Sequence, residues 1–145
     1  MKSKLKIIVL CTGNSARSQM LMCLLNDRLG DRIRAWSAGT MPAERVHPMA
    51  IRVLEELGVA PPESCPRLVS DLTGLEFDVA VTVCDNARES CPVLPGAPET
   101  VHVGYPDPAA ASGSEEACLA AFRSVRDSMD SWVRLFAVLL ERGSS

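Results

Sequence analysis

The chain has 145 residues, 47% apolar and 23% charged, with a formal net charge of −3. That length fits one domain able to bury about 70% of its unfolded surface, and the balance excludes a disordered or collagen-like chain. The small negative charge gives no basic field for nucleic acid or an anionic membrane surface, so any anion site must be built locally.

Lys4 to Leu10 reads as a first strand whose nearly unbroken apolar run suits a parallel sheet covered on both faces. Interrupted by Lys6, the run is too short for a signal peptide or a membrane span, which points to a cytoplasmic protein. From Ser18 to Leu29, Leu21, Leu24, Leu25 and Leu29 recur at helical spacing, and Gly30 offers a stop. Ile33 to Ser37 reads as a second strand, ended by Ala38-Gly39. Pro48 suits a first helical turn, and Met49, Val53, Leu54 and Leu57 mark one face of a helix closed by Gly58. Phe77 to Val83 is a third strand that runs, like the first, into a cysteine. Residues 84–99 are rich in proline and form a long irregular loop, and Thr100 to Val103 is a fourth short strand. In the last helix Ser112 and Glu115 have capping-box spacing, followed by a stripe of Cys118, Phe122, Val125, Met129, Trp132, Phe136 and Leu139. One such stripe fits a helix packed on a sheet better than a coiled-coil seam. The element order implies an α/β sandwich with right-handed crossovers, as one domain over residues 1–145.

Ligands of open parallel sheets bind where strands end and loops lead into helices, and Cys11 occupies that position. Thr12, Gly13, Asn14, Ser15 and Ala16 are mostly small, so their amides can curl around a tetrahedral oxyanion at the positive end of the next helix. Arg17 could add a planar pair of donors, and Ser18 a hydrogen bond to the sulfur. Such surroundings favour a thiolate, making the pocket floor a nucleophile. The loop lacks the Gly-Lys-Ser/Thr ending of a nucleotide P-loop. The plainer alternative is a buried strand-end cysteine with a solvated Arg17.

Cys, five residues, Arg, then Ser, after a first strand, resembles the signature of low-molecular-weight protein tyrosine phosphatases and the arsenate reductases that share their fold. "CTGNSARSQM" is particularly similar to the thioredoxin-coupled arsenate reductases. The resemblance implies a three-layer α/β/α sandwich around a four-stranded parallel sheet, with Thr12 to Ser18 as the substrate loop. It makes Asp107, in "YPDPAAA", the general acid. In "CDNARESC", Cys84 ends a central strand and Cys91 follows with six residues between, and in these reductases that spacing belongs to a redox pair.

The same resemblance implies a relay of Cys11, Cys84 and Cys91, with arsenate as substrate and thioredoxin as the family's usual reductant. A tyrosine phosphatase would use only Cys11, Arg17 and Asp107, and an arsenic-sensing or redox binding module would use the thiols without the acid. Some relatives bind potassium through a glutamate after Ser-Gln-Met-Ala. This chain reads Ser18-Gln19-Met20-Leu21-Met22, so that acid is missing, although Asn14 and Ser37 stand where two other ligands do.

No cofactor and no metal is expected, since there is no Cys-x-x-Cys pair and His102 stands alone. Cys23 and Cys118 read as core, Cys65 as a loop thiol, and Trp36 and Trp132 as packing. His47 has no partner legible in sequence. Ala109 follows Asp107-Pro108 where phosphatases often carry a tyrosine, and nothing argues against a monomer.

Overall fold

The computed structural model describes residues 3–63, 65–72, 74–85 and 99–143. Its strands are β1 (Leu5–Cys11), β2 (Ile33–Gly39), β3 (Val79–Thr82) and β4 (Glu99–His102), and its helices α1 (Arg17–Leu29), α2 (Pro48–Glu55) and α3 (Glu115–Gly143). The strands form one parallel sheet in the order β2-β1-β3-β4. The chain therefore leaves β1 for one neighbour and later returns to its other side, which puts a topological switch point at the carboxyl end of β1. Cys11 is the last residue of that strand.

Alternation along β1 divides the core. Ile7, Val9 and Cys11 face the helices, where they meet Leu21, Leu24 and Leu25 of α1, Val53 and Leu54 of α2, and Phe122 and Met129 of α3. Ile8 and Leu10 face the other way, onto Leu72, Phe77 and Ala80. Among the described residues this second face is covered by a single 3-10 turn, Val69–Leu72, and by Trp36, which meets Phe77 edge-on at 5.5 Å. The sandwich is thus asymmetric, with its three described helices packed together on one side.

Several boundaries move from the sequence expectation. β2 runs on to Gly39 because Ala38 and Gly39 still pair with Leu10 and Cys11. β3 is shorter than Phe77 to Val83, because Phe77 turns to the second face before the ladder begins. The cap of α3 is Ser114, not Ser112: Ser114 Oγ accepts from the Ala117 amide at 3.1 Å, and Gly113 at φ 113 breaks the approach. The apolar stripe is buried through Val133, after which α3 outruns the sheet and Leu139 is 56% exposed. Cys118 is half-buried, with its thiol on the Ala111 carbonyl at 3.5 Å, so it belongs to the helix entry and not to the core. Among the described residues no helix is long and apolar enough to cross a membrane.

Candidate active site

Five residues leave β1 and enter α1, and the hydrogen bonds of their carbonyls dictate where their amides point. Thr12 O accepts from Met41 N, Gly13 O from Ala43 N, and Ser15 O from His47 N, each at 2.9 Å. Asn14 O accepts from Gln19 Nε2 at 3.0 Å. In a trans peptide the following N–H points opposite to the carbonyl, so the amides of Gly13, Asn14, Ser15 and Ala16 are turned to the other side of the loop. That side is a cavity of about 280 Å³ lined by Cys11, Thr12, Gly13, Ser15, Ala16, Arg17, Asp107 and Ala109.

Helix α1 adds to this. Its N-cap is Ala16, which offers no capping side chain, and its first turn holds no acid. The positive end of the helix therefore faces the loop without a capping side chain or an acid in its first turn, which favours an anion there.

Asn14 holds the loop in shape. At φ 49 it sits in the left-handed region that asparagine tolerates better than most residues. Its Oδ1 accepts from Gln19 Nε2 at 3.1 Å and from Arg67 N at 3.0 Å, so the Nδ2 end must face Ser18, to whose Oγ it donates at 2.8 Å. The Ser18 hydroxyl lies 2.8 Å from Cys11 Sγ, and the Asn14 amide donates to the same sulfur at 3.2 Å. Cys11 is a free thiol, 2% exposed, so two donors converge on a desolvated sulfur at the pocket floor.

Gly39 allows the close approach that this needs. A Cβ there would lie 2.4 Å from Thr12 O and 2.9 Å from Cys11 O.

Arg17, expected to grip the anion, is buried, lines the cavity, and is anchored by Nη1 donating to Tyr105 O at 3.1 Å. Asp107, the expected general acid, is exposed. Its Oδ1 accepts from Ala109 N at 3.0 Å, capping the turn Pro108–Ala110, so the carboxyl is fixed at the pocket rim within reach of solvent.

His47 proves to have clear partners. Its Nδ1 accepts from Met49 N at 3.1 Å, capping α2, and its ring lies 4.7 Å from Phe122. Burial lowers its pKa, with Asp107 pulling upward and Arg45 downward.

Cys84 is fully buried just past β3, where Val83 N still donates to Leu10 O at 3.0 Å. It thus lies at the same end of the sheet as Cys11, beyond the end of the neighbouring strand and not on it as the sequence suggested. Cys84 is disulfide-bonded, while Cys11, Cys23, Cys65 and Cys118 are free. Cys91 lies outside the described residues. Burial pushes the Cys23 thiol up to about 12, which keeps it protonated near neutral pH. Cys65 is exposed, as expected of a loop thiol.

Ser37 Oγ and Gln19 Oε1 are buried without hydrogen-bond partners, which is the feature a bound potassium would satisfy. The rest of the surroundings does not fit one. The residues after Gln19 are Met20, Leu21 and Met22, and the Arg67 guanidinium already donates to Ser37 O through Nε at 3.2 Å. Among the described residues no three His, Cys, Asp or Glu groups cluster as a metal site. Gln19, Gly39, Tyr105 and Arg67 carry parts of the site that the motif did not disclose. The one local signal was a glycine closing a strand.

Comparison with known proteins agrees with this geometry. The pattern of the low molecular weight phosphotyrosine protein phosphatase family matches residues 6–144. An arsenate reductase of Halalkalibacterium halodurans is 38% identical over 135 residues, covering 93% of this chain and 96% of that protein. The solved arsenate reductase of Archaeoglobus fulgidus is 31% identical, with a TM-score of 0.65 over 88% of this chain and 98% of its own. A thioredoxin-dependent arsenate reductase of Corynebacterium glutamicum shares the fold at a TM-score of 0.73 and 21% identity, over 97% of this chain and 63% of its own.

Proposed function

This chain belongs to the low molecular weight phosphotyrosine protein phosphatase family, among its arsenate reductases, and from that premise we propose that it reduces arsenate to arsenite by a Cys11, Cys84, Cys91 relay recharged by thioredoxin. The observation that carries the reading is a pair of cysteines at one sheet end: a free Cys11 under an amide-lined cavity, and a disulfide-bonded Cys84 just past the adjacent strand.

Arsenate enters the cavity with its oxygens on the loop amides and the Arg17 guanidinium. Cys11 Sγ attacks arsenic, and Asp107 protonates the departing oxygen, which leaves as water. Cys84 then attacks Cys11 Sγ. The electron pair of the sulfur–arsenic bond passes to arsenic, which leaves as arsenite, and a Cys11–Cys84 disulfide remains. Cys91 attacks Cys84, Cys11 departs as thiolate, and the disulfide moves to Cys84–Cys91, where the dithiol of thioredoxin reduces it.

The test is NADPH oxidation coupled through thioredoxin and thioredoxin reductase, with arsenate as oxidant. Turnover in the wild type and its loss in Cys84→Ser supports the relay. Absence of turnover in protein that hydrolyses p-nitrophenyl phosphate would replace the relay with phosphatase chemistry.

A further inference from the structure

Four residues beneath the anion loop are joined by hydrogen bonds, and one of them is charged. Gln19 Nε2 donates to both Asn14 O and Asn14 Oδ1, Arg67 N donates to Asn14 Oδ1, and Arg67 Nε donates to Ser37 O. The backbone of Arg67 also accepts from Gly39 N at 2.9 Å, next to the isolated bridge between Gly39 and Leu68. One residue thereby ties the loop, the end of β2 and the segment that follows α2.

Oxygen outnumbers donor in this cluster. Ser37 is fully buried and Gln19 is 1% exposed, yet Ser37 Oγ and Gln19 Oε1 find no partner. Buried oxygens in that condition favour a nearby positive charge. Among the described residues no three His, Cys, Asp or Glu groups cluster to hold a free ion, so a mobile cation would bind weakly. A guanidinium is permanently charged, weakly hydrated and able to lie half-buried against carbonyl oxygens.

We propose that Arg67 is a positioning residue for the anion loop, whose guanidinium supplies from within the chain the positive charge that a monovalent ion would otherwise bring to Asn14, Gln19 and Ser37. The proposal rests on the oxyanion-binding reading of the Cys11 loop. By clamping Ser37 O through its side chain, Arg67 keeps its own amide on Asn14 Oδ1. That contact keeps the Asn14 side chain turned toward Ser18 and its backbone N–H toward Cys11 Sγ. The charge also adds to the field that draws an oxyanion into the cavity. Arg67 also lines a surface cavity of about 530 Å³ with Asn26, Asp27, Arg34 and Glu63, while Asn14, Gln19 and Ser37 stay buried away from it. Sodium and potassium should therefore serve this protein equally.

The experiment measures the affinity of the full chain for inorganic phosphate by calorimetry, in sodium chloride and in potassium chloride at equal ionic strength, for wild type, R67K and R67Q. Phosphate binding is read without turnover, so its result is separate from the fate of the relay. Expected are one affinity for the wild type in both salts, a loss of about fivefold in R67Q from removal of a charge in partly desolvated surroundings, and recovery of most of it in R67K. Thermal melts of the three proteins identify any loss due to unfolding. Tighter binding or a higher melting temperature of the wild type in potassium than in sodium overturns the proposal, and this comparison stands even if R67Q does not fold. So does a folded R67Q that binds phosphate as tightly as the wild type.

Discussion

Asn14 Nδ2 donates to Ser18 Oγ at 2.8 Å, and this frees the hydroxyl hydrogen of Ser18 for Cys11 Sγ, also 2.8 Å away. The direction is set by the other end of the same amide, whose oxygen is taken by the Arg67 and Gln19 donors. Ser18 therefore donates its hydrogen bond to the Cys11 sulfur.

Ser18→Ala should therefore slow the attack of Cys11 on arsenate by about 10- to 100-fold, the equivalent of the roughly 1.5–3 kcal/mol carried by a hydrogen bond to a charged group. Stopped-flow measurement of the first turnover checks this. An unchanged rate in folded protein would mean that the Asn14 amide alone holds the sulfur.

Gly39→Ala should damage the site through packing. Its Cβ would lie 2.4 Å from Thr12 O and 3.1 Å from Asn14 N, both backbone atoms of the anion loop. Overpacking of this kind costs about 1–3 kcal/mol, read by urea denaturation. Phosphate binding should weaken at the same time, because the loop carbonyls and amides turn together.

Stability at low pH should depend on Glu56. Paired with Arg123 at 2.7 Å and Arg126 at 2.7 Å, it links the end of α2 to α3. The Arg123 hydrogen bond, opposed by some desolvation and helped by Arg126, lowers its pKa from an ordinary 4.5 to about 2. A carboxylate depressed in the folded state contributes stability that is complete above the unfolded value and is lost as pH falls toward the folded one. Melting temperatures between pH 5 and 2 should fall less steeply in Glu56→Gln than in the wild type, and parallel curves would contradict the assignment.

The nucleophile loop was legible because its signals are contiguous: an apolar run, a cysteine, small residues, an arginine and a helix. Asp107 was legible through its Asp-Pro setting, but its exposure was not, since that depends on how the Pro108–Ala110 turn lies over the loop. Arg67 could not be found from sequence. It reaches Asn14 across 53 positions, and nothing near "CPRLVS" marks it as different from a surface arginine. His47 was hidden in the same way until Met49 N and Phe122 supplied its partners. The cap of α3 was misplaced because Ser112 and Ser114 both precede acidic residues, and the choice depends on the backbone at Gly113.

In the proposed relay the electrons reach arsenic through Cys84 attacking Cys11. Peptide mapping by mass spectrometry of Cys91→Ser, after one exposure to arsenate, tests it most directly. A Cys11–Cys84 disulfide with one equivalent of arsenite released is expected. Reduced Cys11 and Cys84, or Cys11 bonded to any other cysteine, would contradict it.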